Sequence, residues 1–305
     1  MKKLILPLIA VFALFSCSSD DDAAQVETPL IITKADYETN YSPGGETFML
    51  FGAEPSSVSI PVPGEDQTWD FSELDELGSA VFGGSDFIVP SNPVFPTATY
   101  FELFESFYAI ADVESNTYEG EIFYELNDNG LFGLGLSQNQ PAILNIPAIG
   151  AVITYEPQPR PYTGTSKLPS VLFPVEYGDT PITTTGIIDT INFTVDAAAF
   201  GLINTPGQLV YTDDERQEVI ASGTANFKGI GEKRVLVVKS ETTTTINYFL
   251  GGAPAPEALL SMLGATDGSV STSTIYRFIA EGMGTAGFIN VNESGTITGA
   301  RFRKQ

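Results

Sequence analysis

The chain has no histidine and only one cysteine among its 305 residues. Without histidine, a Ser-His-Asp triad, a Cys-His pair and histidine-ligated zinc or copper are all excluded. Carboxylates are then the only plentiful acid–base groups, so the one common enzyme class left open is glycoside hydrolysis by two Asp or Glu residues. We therefore interpret the chain as non-enzymatic, and we predict neither a cofactor nor a metal site.

The carboxylates that would have to form such a pair are densest in one segment, at Glu102, Glu105, Asp112, Glu114, Glu119, Glu121 and Glu125. Glu119 and Glu121 lie two residues apart, so on a strand they share one face. The same alternation is typical of the solvent-exposed face of an ordinary strand. That second interpretation is the one we favour.

Basic residues are few, because 14 Lys and Arg stand against 38 Asp and Glu, for a formal net charge of −24. Such a chain repels a phosphate backbone, which excludes nucleic acid as a partner. The charge could attract divalent cations, and residues 213–215 (Asp-Asp-Glu) are a candidate site that a charged turn explains more simply. Residues 125–130 imitate the start of an EF-hand loop, but Leu136 stands where the bidentate Glu belongs, so we predict a hairpin turn there.

The apolar run Leu4–Phe15 follows two lysines and is too short for a membrane span, which needs about 20 residues. A basic start and a short apolar run are typical of an export signal. Residues 14–17, Leu-Phe-Ser-Cys, resemble the lipobox at which the bacterial lipoprotein signal peptidase cuts. The resemblance implies a signal peptide over residues 1–16 and a Cys17 that carries diacylglycerol and an N-linked acyl chain such as palmitate, which anchor the protein to the membrane.

A short polar and acidic run follows the cysteine directly, at Ser18, Ser19, Asp20, Asp21 and Asp22. It resembles the surface-export signal of lipoproteins in the Bacteroidota, which implies an outer-membrane protein that faces the extracellular side. A solvated charged tether is the alternative. Because residues 17–45 are rich in Asp, Thr, Pro, Gly and Ala, we predict a flexible stalk over that range.

Residues 46–305 are predicted to form an all-β domain, because short runs of Val, Ile, Thr, Tyr and Phe are separated by Gly, Pro, Asn and Asp. The spacing favours an antiparallel β-sandwich or a jelly-roll-like arrangement, since parallel βαβ units need long helices. One short helix is predicted over 256–263, between Pro256 and Gly264. The predicted strands are Val58–Val62, Ala80–Val89, Tyr100–Asp112, Gly120–Leu126, Leu131–Leu136, Ala151–Tyr155, Val171–Glu176, Ile187–Val195, Glu218–Phe227, Lys233–Lys239, Glu241–Phe249, Val270–Ala280, Thr285–Val291 and Ile297–Arg303.

Local signals refine this outline. Asn129-Gly130 and the segment 292–295 predict two hairpin turns. The proline cluster at 157–170 predicts either a crossover or a subdomain boundary, because prolines avoid central strands. We favour one continuous domain.

Three segments, 63–74, 173–179 and 233–240, resemble β-rich secreted and surface proteins of the Bacteroidota, many of them cargo of type IX secretion. The resemblance implies β architecture and an envelope or extracellular location, with no known activity. This chain departs from such cargo by its lipobox.

Two single residues are candidate sites. Trp69 could stack on a sugar, as could the aromatic cluster of residues 100–124, although core packing explains most of these rings. Asp189-Thr190-Ile191 resembles the O-glycosylation motif of exported Bacteroidota proteins, which implies modification at Thr190, although such tripeptides also arise by chance.

Three functions stay open from the sequence. We favour a binding accessory that captures polysaccharide or peptide, or binds an envelope protein, through an exposed aromatic or acidic patch. A structural or assembly partner would instead offer a flat apolar or edge-strand surface. A carboxylate-based glycoside hydrolase would place two carboxylates about 5–9 Å apart at the base of a cleft.

The lipid anchor is tested by replacing Cys17 with serine. We expect Cys17→Ser to abolish incorporation of radiolabelled fatty acid and to release the protein from the membrane fraction, because no other residue can carry the thioether-linked lipid. A variant that stays membrane-bound with unchanged labelling would contradict the anchor.

Overall fold

The computed structural model describes residues 28–38, 49–77, 92–110, 113–164 and 168–305. Its strands and helices are β1 (Ile31–Ile32), α1 (Lys34–Glu38), β2 (Met49–Ala53), β3 (Gly64–Phe71), β4 (Tyr100–Ser106), β5 (Ala109–Ile110), β6 (Val113–Glu114), β7 (Tyr118–Asn127), β8 (Gly130–Gln138), β9 (Ala142–Ile146), β10 (Ala151–Tyr155), β11 (Pro159–Pro161), β12 (Thr163–Gly164), β13 (Leu168–Leu172), β14 (Val175–Glu176), β15 (Ile182–Ala197), β16 (Leu202–Phe227), β17 (Gly231–Leu250), β18 (Ala253–Pro254), α2 (Glu257–Met262), β19 (Ser269–Ala280), β20 (Gly284–Asn292) and β21 (Ile297–Lys304). Single 3₁₀ turns occupy Pro55–Ser57, Pro147–Ile149 and Ala198–Phe200.

Two sheets dominate the molecule. The main sheet has 12 strands in the order β2-β21-β20-β19-β17-β16-β15-β10-β9, with β3, β12 and β18 beside this path. The small sheet has five strands in the order β11-β8-β7-β4, with β13 beside β8. Within the described ranges, β3 alongside β16 is the one parallel pairing. The chain is therefore an all-β sandwich, which confirms the predicted fold class.

The central strand β17 is buried on both faces where residues 235–238 are apolar at every position. Val235 and Val237 pack on one face, in a first core cluster with Phe278 and Phe302. Leu236 and Val238 pack on the opposite face, in a second core cluster with Tyr37 and Tyr100 beneath the small sheet. Burial on both faces explains why this segment does not alternate between apolar and polar residues.

A third apolar cluster lies further along the same long strands. We call residues 205–212 of β16 and 244–250 of β17 the distal end of this strand pair. There the alternation of β17 directs Ile246, Tyr248 and Leu250 to the face that also carries the small sheet. A band of polar side chains separates the two clusters on this face, at Asp213, Glu215, Gln217, Ser240, Thr242 and Thr244.

Several local predictions are confirmed. Both predicted hairpins form, with Asn127 opposite Gly130 in one and Val291 opposite Ile297 in the other. The predicted helix over 256–263 is α2, which begins after Pro256.

Other strand predictions are wrong in detail. Residues 58–62 form no strand, although Val58 and Ile60 pack against the first core cluster. Lys233–Lys239 and Glu241–Phe249, predicted as two strands, are one strand. The predicted strand Ala80–Val89 lies outside the described residues.

The predicted flexible stalk over residues 17–45 is wrong for residues 28–38. Strand β1 pairs with β14, and the side chains of Ile32 and Tyr37 are fully buried. Asp36 accepts a hydrogen bond from the backbone N–H of Thr33 at 2.7 Å, which starts a second short helix, α1, that the sequence analysis missed. The remaining stalk residues, and Cys17 with residues 18–22, lie outside the described ranges.

The proline cluster marks a crossover between the two sheets. Strand β11 pairs with β8 of the small sheet, β12 pairs with β15 of the main sheet, and β13 returns to β8. Residues 157–170 thus join the sheets to each other. In the described part of the chain, no helix combines the length and apolarity of a membrane span.

The parallel pairing of β3 depends on Gly223 of β16, because a Cβ at that position would overlap the backbone of Gln67. We expect Gly223→Ala to detach β3 and to lower the free energy of unfolding by about 1–3 kcal/mol. Trp69 of β3 is the only tryptophan, so its emission should shift to the red. The matched control is Gly299→Ala, because a Cβ at that position makes only an ordinary van der Waals contact. An equal red shift of the Trp69 emission in both variants would refute the dependence of the β3 pairing on Gly223.

Candidate functional site

The best-formed candidate site is an apolar cavity at the distal end of the long strands. Its volume is about 260 Å³. Strands β10, β15, β16 and β17 supply one wall, the chain around β5 a second, and α2 with the loop after it a third. The described residues of its walls include no charged side chain. They are Phe107, Tyr108, Ala109, Ile110, Ile146, Ile149, Ala151, Ile153, Tyr155, Phe193, Val195, Ala197, Leu209, Tyr211, Ile246, Tyr248, Phe249, Leu250, Ala255, Leu259, Leu260, Leu263 and Ala265.

Strand register brings the aromatic part of this wall together. Tyr155 lies opposite Phe193, with ring centroids 5.5 Å apart, and Leu209 lies opposite Tyr248. The ring of Tyr108 stacks on that of Tyr155 at 3.8 Å. Residues distant in sequence therefore form one continuous aromatic surface.

Helix α2 closes the cavity from the other side. Pro256 fixes the backbone before its first turn, and the carbonyl of Pro256 accepts hydrogen bonds from the N–H groups of Leu259 and Leu260. Leu260 is buried, whereas Met262 on the same helix is 48% exposed. On the opposite side, Phe107 lines the cavity and is 49% exposed, so the cavity reaches the surface there.

The tyrosines of the cavity remain neutral. Burial raises the pKa of Tyr211 to about 12 and raises the pKa values of Tyr108 and Tyr155 further. The Tyr108 hydroxyl donates to Gln138 Oε1 and accepts from Arg160 Nη1, each at 2.9 Å. These hydroxyls are therefore protonated near neutral pH and can donate and accept hydrogen bonds.

A buried ion pair lies behind the tyrosines. Arg160 Nη2 is 3.4 Å from Asp189 Oδ2, and both side chains are largely buried. Among the described residues, Arg160 Nε and Asp189 Oδ1 have no hydrogen-bond partner. Burial raises the pKa of Asp189, while Arg160 opposes the shift. The folded state thus holds the Asp189 proton more tightly than the unfolded chain does, so this group lowers stability as the pH rises through its titration.

The structure separates the residues that the sequence singled out. Trp69 is half-buried and packs edge-on against Phe278 at 5.4 Å, in the first core cluster and away from the cavity. Thr190 is half-buried opposite Val210, and its neighbour Asp189 is the acid of the buried ion pair. The core interpretation of Trp69 fits these contacts, and modification of Thr190 stays a prediction.

The aromatic cluster of residues 100–124 is divided among three places, one of which is a small core cluster where Phe101 and Phe123 pack with Phe95. Tyr108 stacks at the cavity, with Tyr118 beside it at 5.0 Å. Tyr100 and Tyr124 stack on each other at 4.9 Å between the sheets. Only the Tyr108 group contributes to the candidate site.

None of the candidate carboxylates in the described ranges lines this cavity, and Asp112 lies outside those ranges. Glu119 is exposed opposite the exposed Glu105 on the small sheet, as expected for a solvated strand face. Glu102 accepts a hydrogen bond from the Tyr124 hydroxyl at 3.3 Å, and burial raises its pKa against the opposing charge of Arg303.

The position of residues 213–215 in a strand decides whether they form a cation site. Residues 213–215 lie within β16, so the interpretation as a charged turn is wrong, and Asp214 points to the face opposite its two neighbours. Asp213 accepts from Thr244 Oγ1 at 2.6 Å. No three acidic or cysteine side chains in the described ranges are placed to hold a metal ion.

Comparison of the chain with family models, with curated proteins and with solved structures finds no match. The function has to be inferred from the geometry of the site.

The buried ion pair gives a direct test of this region. We expect Arg160→Met to lower the free energy of unfolding at neutral pH by about 3–5 kcal/mol, because it leaves the buried Asp189 carboxylate without its counter-ion. Urea denaturation followed by the Trp69 signal measures the loss. The double variant Arg160→Met with Asp189→Leu should recover much of it.

A surface pair is the matched control for this measurement. Lys34 Nζ lies 3.0 Å from Asp128 Oδ1, and Asp128 is exposed. Asp128→Asn should leave the urea midpoint unchanged. A similar shift in Arg160→Met and Asp128→Asn would show that the buried pair carries no special role.

Proposed function

We propose that this protein is an outer-membrane lipoprotein, anchored through Cys17 and facing the extracellular side, whose β-sandwich is a non-enzymatic binding module for a small apolar molecule. The observation that carries the proposal is the tyrosine-rich cavity. Preformed apolar pockets with a few fixed polar groups are the usual form of small-molecule sites.

The volume of the cavity sets the size of the ligand. At about 30 Å³ for a group the size of a water molecule, 260 Å³ holds about eight or nine non-hydrogen atoms. A bicyclic aromatic compound or a medium-length acyl chain has this size. The absence of charged side chains from the cavity wall favours a neutral ligand, and the hydroxyls of Tyr211 and Tyr248 offer hydrogen bonds to a single polar group on it.

The position of the cavity supports capture of a ligand from outside the cell. The N-terminal segment joins the body where Arg234 Nη2 donates to the carbonyl oxygen of Thr28 at 2.5 Å. Fourteen residues of β17 separate Arg234 from Tyr248, which is about 46 Å of strand at 3.3 Å per residue. An anchor at Cys17 would therefore attach at one end of the long strands and leave the cavity at the other.

Binding is tested by filling the cavity. Ala197 lines it and is fully buried, so Ala197→Leu should occupy part of its volume. We expect the affinity for indole and for 1-octanol to fall at least about tenfold, a loss near 1.4 kcal/mol. The unfolding free energy should change little, because the added methyl groups enter space that is empty. Titration calorimetry on a chain that begins at residue 24, and so retains every described contact, measures both ligands.

The same substitution two residues further on is the control. Ala199 is exposed and does not line the cavity, so Ala199→Leu should bind both probes like the parent chain. Failure of the parent chain to bind either probe, or equal binding by Ala197→Leu, would refute the proposal.

A further inference from the structure

A second site lies next to the cavity, on the outer face of the main sheet. It is an open cleft of about 550 Å³. Asn192 and Gln208 lie opposite each other on β15 and β16, and alternation along the strands places their side chains on the face opposite Ile191 and Leu209. The cleft and the apolar cavity therefore share only Phe193 and Phe249 among their described lining residues. The cleft is lined by Glu156, Gln158, Asn192, Phe193, Thr194, Pro206, Gln208 and Phe249, with Gly207 and Gly252.

Three amide side chains form a fixed row along the floor of this cleft. Asn192 Nδ2 donates to Gln158 Oε1 at 2.8 Å, and Gln208 Nε2 donates to Asn192 Oδ1 at 2.9 Å. Gln158 is held in turn by the backbone of Asn192, since its Nε2 donates to the Asn192 carbonyl oxygen at 2.8 Å. The row is preorganised, because each amide is oriented by its neighbour.

The row keeps hydrogen-bonding capacity for a ligand. Asn192 and Gln208 are exposed, and after these bonds the Gln208 Oε1 atom and one N–H of each side chain make no hydrogen bond to another described residue. The Thr194 hydroxyl adds a further donor and acceptor. The half-buried ring of Phe249, opposite Gln208 on β17, supplies an apolar surface at one end of the row.

This combination selects the chemistry of the ligand. Planar amides that donate and accept in one plane match the paired hydroxyl groups of a sugar, and an aromatic ring packs on the C–H face of a pyranose. Of the described residues that line the cleft, Glu156 alone is charged, and the chain carries a net charge of −24, so an anionic polymer is disfavoured. An extended peptide would need a free strand edge, but Gln158 already bonds the Asn192 backbone N–H and carbonyl at this edge.

We infer that the cleft formed by Gln158, Asn192, Gln208 and Phe249 binds a neutral oligosaccharide. This site is independent of the apolar cavity, although Phe193 and Phe249 line both. The open form of the cleft suits a segment within a longer glycan, which enters and leaves along the sheet.

The test uses the full chain, purified in a detergent without a sugar headgroup. The probes are neutral hexasaccharides of glucose, mannose and xylose (maltohexaose, cellohexaose, laminarihexaose, mannohexaose and xylohexaose), with hexagalacturonate as the anionic comparison. We expect at least one neutral hexasaccharide to bind and hexagalacturonate not to bind. Gln208→Ala should weaken that binding about fivefold, the usual effect of one lost hydrogen bond. Thr194→Val, which keeps the shape of the side chain, should weaken it in the same direction.

Two controls separate this site from other causes. Gln140→Ala makes the same change at an exposed turn outside the cleft and should leave the affinity unchanged. Ala197→Leu, which fills the apolar cavity, should also leave it unchanged, so this inference and the proposed function fail separately. The inference is overturned if no neutral hexasaccharide binds at millimolar concentration, if hexagalacturonate binds as well, or if Gln208→Ala and Thr194→Val bind like the parent chain while retaining its unfolding midpoint.

Discussion

The antiparallel pairing of β16 with β17 is the constraint on which the rest of the structure depends. It runs from Gly207 opposite Leu250 to Phe227 opposite Gly231, with one bulge between Val219 and Ala221. A slip of one residue would turn every side chain of either strand to the wrong face. The first core cluster, the cluster beneath the small sheet and the distal cavity all take side chains from this one register.

The same register divides the main sheet into a densely packed part and a part that borders the cavity. Near residues 235–238 the sheet is covered on both faces by large, fully buried side chains, which is where the burial of apolar surface stabilises the fold. At the distal end the sheet is covered by a short helix and a two-stranded hairpin, and space remains. The polar band between these regions, with Arg160 and Asp189 at its margin, separates the distal cavity from the main core.

The sequence predicts the fold class well because strand signals are local. The turn at Asn129-Gly130 and the helix after Pro256 depend on residues close in sequence, and both form as expected. The burial of Tyr37 could not be predicted in this way, because its neighbours are polar and its contacts come from strands far along the chain. The merging of two predicted strands into β17 follows from its pairing, along its whole length, with the longer strand β16.

The candidate site could be predicted only in fragments. Ile246, Tyr248 and Leu250 alternate as core residues do, and nothing in a single strand distinguishes a side chain that fills space from one that borders a cavity. The amide row was missed for a related reason. Gln158, Asn192 and Gln208 form no pattern in the sequence, and they become neighbours only when the strands pair. Trp69, the most conspicuous aromatic residue, belongs to the core that holds β3 in place.

The direction of the long strands also determines how the molecule bears load. A ligand held at the distal end and an N-terminal segment held near Arg234 would pull on opposite ends of β17, parallel to its axis. That tension would run along the covalent backbone of β17, and the hydrogen bonds to β16 and β19, which lie across the axis, would hold the strand in place within the sheet. The strand pair that fixes the register is thus also the element that would transmit a load from one end of the main sheet to the other.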